Sequence, residues 1–188
     1  MLSFFNNSYL RFMTKMNLRA FVRKASKNKR SLRRFLTKME KQPSRHLSAY
    51  TALTEPSVWK EVDCLHCANC CKTMTPTFTP ADIKRISGHL GQTADEFKAK
   101  YLYKERGGDG DWLNKKTPCQ FLNLKDNKCS IYEVRPADCA GFPHLQKKVK
   151  DFGHVHKQNI ECCPATYRMV ERMKEAVESG DIRMTVLR

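Results

Sequence analysis

The sequence has no apolar run of the roughly 18–20 residues that a membrane-spanning helix needs. It also lacks the motifs that announce common enzymes. There is no GxGxxG fingerprint, no phosphate-binding P-loop, no GxSxG elbow and no HExxH zinc motif. No internal repeat is visible beyond paired cysteines. Acidic residues are scarce at one end: residues 1–45 hold 13 Lys/Arg and one acid, Glu40. The remaining 143 residues carry 22 Lys/Arg against 18 acids, so the formal net charge of +16 belongs mostly to the N-terminal segment. An export signal is also missing. The opening MLSFFNNSYLRFM is apolar, but Asn6, Asn7, Ser8 and Arg11 break it and no small-residue cleavage site follows. An Arg-rich, acid-free start also resembles a mitochondrial presequence, and a start at Met13 or Met16 is the plainer reading.

Cysteine, by contrast, is abundant: nine in 188 residues. Without an export signal the expected compartment is a reducing cytoplasm, where dense cysteine indicates metal or redox chemistry rather than disulfides. An odd count would also leave one thiol over in any disulfide scheme.

The chain divides by texture into a basic helical N-terminal arm and linker (1–56) and a second part (57–188). Leu18, Phe21, Val22, Ala25, Leu32, Phe35, Leu36 and Met39 follow helical spacing, giving one long or two short helices. QPSRHLSAYTALTEPS (41–56) reads as a linker. Thr79-Pro80 with Asp82, and Thr93 with Glu96, are helix starts with capping boxes. Residues 105–118 read as a polar loop, CQFLNL and CSIY as a β-hairpin turning at KDNK, and RPADC as a turn or short helix. Pro164 opens a last helix that Gly180 closes. The fold class that results is α+β: a small metal-stabilised domain of short helices and a β-hairpin.

The candidate ligands are Cys64, Cys67, Cys70, Cys71, Cys119, Cys129, Cys139, Cys162 and Cys163. CLHCANCC repeats the two-residue spacing that aims two sulfurs at one ion in zinc knuckles and in ferredoxins. Soft thiolates select zinc, iron–sulfur or copper(I). Neighbouring side chains diverge, so Cys70 and Cys71 seldom share a mononuclear site. Nine thiols exceed one tetrahedral set, which favours two sites, or one cluster plus spares. Lys72, Lys128 and Arg135 lie beside candidate ligands and could offset thiolate charge.

CLHCANCC, CQFL and CSIYEVRPADCAGFP together resemble the YkgJ-type cysteine-cluster family, the zinc- or iron-chelating CxxCxxCC domain, from about Asp63 to Pro143. The resemblance implies a bacterial, cytoplasmic metal-binding protein holding an iron–sulfur cluster (4Fe-4S) or zinc. Its motif maps onto Cys64, Cys67, Cys70, Cys71, Cys119, Cys129 and Cys139, with Cys162 and Cys163 extending the set. A related module occurs in a flagellin lysine methylase that carries an iron–sulfur cluster, so a cluster-dependent enzyme modifying a protein side chain is the alternative function. A nucleic-acid-associated module with a structural metal is another. Nothing in the resemblance covers the basic arm, whose conceivable partners are RNA or an anionic membrane surface.

Other polar residues have plainer readings. His154 and His156 in GHVH would share one face of a surface strand. His66 sits within the knuckle without being needed as a ligand, and His144 follows Phe-Pro. Arg135 pins a turn or binds an anion, Asp138 caps a short helix, and Met169, Val170, Met173 and Val177 pack in the core.

Overall fold

The computed structural model describes residues 17–42, 45–104 and 111–182. The leader question, on residues 1–16, and the 105–110 part of the polar loop lie outside the described residues. The fold is α+β, with helices predominating. Helix α1 (Leu18–Lys41) is single and unbroken; Asn17 caps it, its side chain accepting from the Ala20 N–H at 3.0 Å. Ala25, Leu32, Phe35, Leu36 and Met39 recur at three- and four-residue intervals and are buried together.

Residues 45–61, expected in part as a linker, form helix α2 (Arg45–Glu61). Leu47, Thr51, Val58 and the following Val62 supply its buried face. Pro56 lies inside this helix, and Ser57 donates its hydroxyl to the Thr54 carbonyl at 2.7 Å near the break in backbone bonding. Proline and serine obscured a real apolar period.

Helices α3 (Cys64–Cys67) and α4 (Asn69–Thr73) are single turns. Strand β1 (Thr77–Phe78) precedes α5 (Pro80–His89) and α6 (Ala94–Tyr101), both opened by the expected capping boxes. Strand β2 (Leu102–Lys104) and β3 (Trp112–Asn114) complete an antiparallel sheet of order β1-β3-β2, with Thr77 opposite Leu113 and Tyr103 opposite Leu113. The last elements are a 3₁₀ turn (Tyr132–Val134), α7 (Ala137–Gly141), α8 (Val149–Cys162) and α9 (Pro164–Glu178).

The hairpin expected at CQFLNL–CSIY reduces to one bridge, Leu122 to Cys129. The reason is local. The Cys119 carbonyl accepts from Leu122 N–H at 3.0 Å and the Cys129 carbonyl from Tyr132 N–H at 3.3 Å. Each cysteine therefore heads a turn, and a turning backbone cannot extend a ladder. GHVH likewise lies in helix α8, not on a strand, with His156 buried.

Two hydrophobic cores result. One joins α1, α2, α8 and α9 through Leu32, Phe35, Leu36, Met39, Val58, Ile160, Met169 and Met173. The other joins the sheet, α5, α6 and the turns after Cys119 through Phe78, Ile83, Ile86, Phe97, Phe121 and Ile131. Helix α1 is thus packed against the C-terminal helices. The pairs Lys24–Glu171 (2.7 Å), Lys29–Glu161 (2.6 Å) and Arg33–Glu161 (2.9 Å) flank the contact.

Because Leu36 is fully buried, Leu36→Ala should lower unfolding free energy by about 2–5 kcal/mol. Val22→Ala, on the exposed side of the same helix, should change it by less than about 0.5 kcal/mol. Denaturant titration of both variants checks that α1 is integral to the fold.

Candidate metal centre

The cysteine-rich stretch is shaped by two caps and one left-handed residue. Asp63 caps α3: its Oδ1 accepts from the Leu65 and His66 N–H groups at 2.9 and 3.2 Å, and its Oδ2 lies 2.6 Å from His66 Nδ1. The bond from the His66 ring is the chief reason this exposed carboxyl sits below its ordinary pKa. His66 is itself exposed and engaged with Asp63, in keeping with a supporting place rather than a ligand's. Ala68 then adopts φ 45°, ending α3 and starting α4 in a new direction. This left-handed step folds C-x-x-C-x-x-C-C into two back-to-back turns.

Hydrogen bonds tie these turns to the rest of the chain. Cys119 donates its N–H to the Cys71 carbonyl at 2.8 Å. Asn69 Nδ2 donates to the Cys162 carbonyl at 2.7 Å, and Asn127 Nδ2 to the His66 carbonyl at 2.9 Å.

Six cysteines, Cys64, Cys70, Cys71, Cys119, Cys129 and Cys139, line a single cavity of about 210 Å³. The remaining three lie behind it: Cys67 and Cys163 are buried, and Cys162 places its Sγ 3.2 Å from Met74 Sδ. All nine are free thiols. Of the cavity wall, Phe142 packs against the helical core, whereas Phe78, Phe121 and Ile131 belong to the sheet core and Cys119 and Cys129 border it. The cavity therefore lies on the seam between the two cores.

The thiols are not equivalent. Burial pushes Cys139 and Cys162 up to about 12, assisted by the Asp138 carboxylate at Cys139 and by Cys163 at Cys162. Burial also raises Cys67, Cys119, Cys129 and Cys163, but each is opposed by backbone N–H groups just ahead: Asn69 at Cys67, Phe121 at Cys119, Ile131 at Cys129, and Thr166 followed by Ala165 at Cys163. A hydrogen bond to the charged form favours the thiolate. Four cysteines thus carry thiolate donors supplied by the backbone that follows them, at the end of α3 for Cys67, at the start of α9 for Cys163, and in turns for Cys119 and Cys129. Cys70 and Cys71 have their sulfurs 3.9 Å apart, and this contact raises Cys70 while bringing Cys71 down to about 7. Lys72 further lowers Cys67 and Cys71, and Arg135 lowers Cys129.

Mutual repulsion sorts the set. Cys139 is raised by Cys71, Cys119 and Cys129, and Cys129 by Cys119 and Cys71. Cys64 is raised first by burial and then by Cys163 and Cys67 ahead of Cys71, and Cys162, beyond its burial, by Cys163 and Cys67. Two neighbourhoods meet at the adjacent pair Cys70–Cys71. Among the described residues, no three His, Cys, Asp or Glu side chains are gathered closely enough to hold a single metal ion.

The sequence reading missed the residues that position Cys139. Buried Asp82, the N3 residue of the α5 capping box, also accepts from the Ala137 N–H at 3.1 Å and from Arg85 Nη2 at 2.6 Å. Arg85 Nη2 donates in turn to the Arg135 carbonyl at 3.0 Å. Arg135 itself bonds the Tyr132 carbonyl at 2.8 Å and lies over the Tyr132 ring, which is the turn-pinning role. Asp138 does not cap α7; its Oδ2 accepts from the Thr77 N–H at 3.2 Å, fixing α7 to β1. The capping-box pattern had already accounted for Asp82, so nothing in sequence marked its second task.

Fold and donor set together define a cysteine-lined chelating protein. Residues 63–165 match the CxxCxxCC family, described as "Putative zinc- or iron-chelating domain". The match spans more than half of the chain, and the chain belongs to that family. It is also similar to an uncharacterized protein of Methanocaldococcus jannaschii, at 36% identity over 81 residues, covering 43% of each chain. The chain thus spans less than half the length of that relative. No solved structure matches it. Among the described residues no helix is long and apolar enough to cross a membrane.

Two outcomes follow from this geometry. Burial raises the Asp82 carboxyl, but bonds from Thr79, Arg85 and Ala137 outweigh it and hold the folded pKa below the ordinary 3.8. A depressed carboxylate stabilises the fold above its unfolded pKa, and that contribution is lost as pH falls through the folded value. Asp82→Asn should therefore lose stability at neutral pH and show a flatter acid limb in urea unfolding, while the fully exposed Asp95→Asn should not. Separately, Ala68→Gly relieves a left-handed residue that costs roughly 1–2 kcal/mol, less glycine's added freedom when unfolded. A gain of up to about 1 kcal/mol is expected, and a loss for Ala68→Val, in thermal melts.

Proposed function

We propose that the protein binds iron–sulfur clusters of the 4Fe-4S type through two sets of cysteine thiolates at the seam between its two cores. The observation that carries this reading is the single cavity lined by six of the nine cysteines. The donor set fits such a group. It is all sulfur, and built-in N–H donors favour the thiolate at Cys119 and Cys129 on the cavity wall and at Cys67 and Cys163 behind it. Cys71, Cys119, Cys129 and Cys139 form the first ligand set, and Cys64, Cys67, Cys70 and Cys163 a second, with Cys162 adjoining it. In a cluster each thiolate binds a different iron, so its ligands stand further apart than those of one ion. Tetrahedral Zn²⁺ needs four sulfurs within about 3.8 Å of one another, given Zn–S bonds of about 2.3 Å. The thiols are more dispersed than that, although Cys70 and Cys71 at 3.9 Å match one such edge. Zinc is the second reading because it too takes four thiolates.

Anaerobic purification followed by iron, zinc and acid-labile sulfide assays tests the proposal. Iron with matching sulfide and visible charge-transfer absorption is expected; colourless protein with stoichiometric zinc would replace it with the second reading. Protein that remains metal-free after anaerobic reconstitution defeats both. Cys139→Ser should remove the metal of the first set only, and Cys163→Ser that of the second. If either variant loses all metal, the division into two sets fails. Either replacement should also lower the melting temperature of the loaded protein far more than Lys104→Ala, because metal binding energy is folding energy in such domains.

A further inference from the structure

The apolar side of α1 and both its flanks are occupied, but its outer side is not. Arg19, Arg23, Lys27, Arg30, Arg34, Lys38 and Lys41 recur every three or four residues and are all exposed. Successive members of such a series stack along one face of a helix. Among the described residues none of the seven has an acidic partner, whereas Lys24, Lys29 and Arg33, on the flanks, are all paired with Glu171 or Glu161. The residues interspersed among the seven are Ala20, Ser26 and Thr37, and the one acid of the helix, Glu40, is bonded to Lys157. From Arg19 to Lys41 the row is about 33 Å long at 1.5 Å per residue. Like charges at such spacing repel and cost helix stability, so the row is a feature that α1 carries against its own propensity.

We infer that this row is a binding surface for the phosphodiester backbone of a nucleic-acid duplex, holding it by charge without reading bases. Three observations choose this occupant. An interfacial helix must place its apolar face in lipid, but Leu32, Phe35, Leu36 and Met39 are committed to the core. Binding of single strands relies on aromatic side chains for base stacking, and the row has none. A straight row about 33 Å long matches roughly one helical turn of duplex, whose phosphates recur along it. The surface lies outside the cysteine cavity, so the inference stands independently of which metal the cavity holds.

The test uses the full chain with its metal and a fluorescent duplex of about two helical turns, as DNA in one arm and RNA in the other. Binding at low salt should weaken steeply as salt rises, with a log–log slope of about −3 or steeper, near −0.9 per phosphate contact. Replacing Arg23, Lys27, Arg30 and Arg34 together by Gln should weaken binding at least about tenfold and flatten the slope. Circular dichroism should be unchanged and melting no lower, because all four are exposed, have no acidic partner among the described residues and lose only mutual repulsion. Arg33→Gln, which breaks a flank pair, should leave duplex affinity within about twofold. No binding at low salt, an unaltered affinity in the fourfold variant, or tighter binding to anionic vesicles than to either duplex overturns the inference.

Discussion

The structure turns on how two separate hydrophobic cores are held against one another. Helices α1, α2, α8 and α9 bury one set of residues, and the small sheet with α5 and α6 buries another. The tandem turns of CLHCANCC stand between them and are bonded both ways. Asn69 reaches the end of α8, and the Cys71 carbonyl receives the Cys119 N–H on the sheet side. Thiols occupy this seam where a single-core domain would place leucine or valine. Thiols are small and weakly polar, so on their own they bury little area and close few contacts. A seam filled with them leaves much of the cohesion of the two halves to whatever the sulfurs bind. That is the physical sense in which a metal centre here would also be a structural element.

The electrostatics of the seam point the same way. Burial favours neutral thiols, and Cys139 and Cys162 are pushed up accordingly. The backbone works in the opposite direction at four positions, through the N–H two places on at Cys67, Cys119 and Cys129 and chiefly through that of Thr166, three places on, at Cys163. A protein that needed only packing from these cysteines would have no use for this repeated opposition. It is also why the expected hairpin is cut to a single bridge, Leu122 to Cys129. The turns that present N–H groups to Cys119 and Cys129 are the turns that end the strands.

What could be read in advance was what depends on short range. The capping boxes at Thr79 and Thr93, the proline start and Gly180 close of α9, and the cysteine spacing all encode structure within a few residues. Helix α2 was obscured because Pro56 and the serines are strong local signals, while the period of Leu47, Thr51 and Val58 becomes decisive only against α9. The link from Asp82 to the start of α7 spans 55 positions and carries no local mark. Cys162 and Cys163 were legible as cysteines, but the contact that brings them behind Cys64 and Cys67 depends on the packing of α8 and α9.

Helix α1 shows how one amphipathic pattern can serve three surfaces. Its buried residues join α1 to α8 and α9, and its flanking lysines and arginine meet Glu161 and Glu171 on those helices. Both interactions orient the helix about its own axis. With the core face fixed and the flanks paired, only one rotation remains, and it turns outward the seven basic residues that have no acidic partner among the described residues. The charge excess at the N-terminus is therefore not diffuse. The same packing that completes the core holding Cys163 also fixes that charge into a straight, rigid row on the opposite side of the helix. Charges on a folded helix bind an extended polyanion with less loss of backbone freedom than charges on an unfolded arm would. Folding of the C-terminal helices and display of the basic row are thus one structural event.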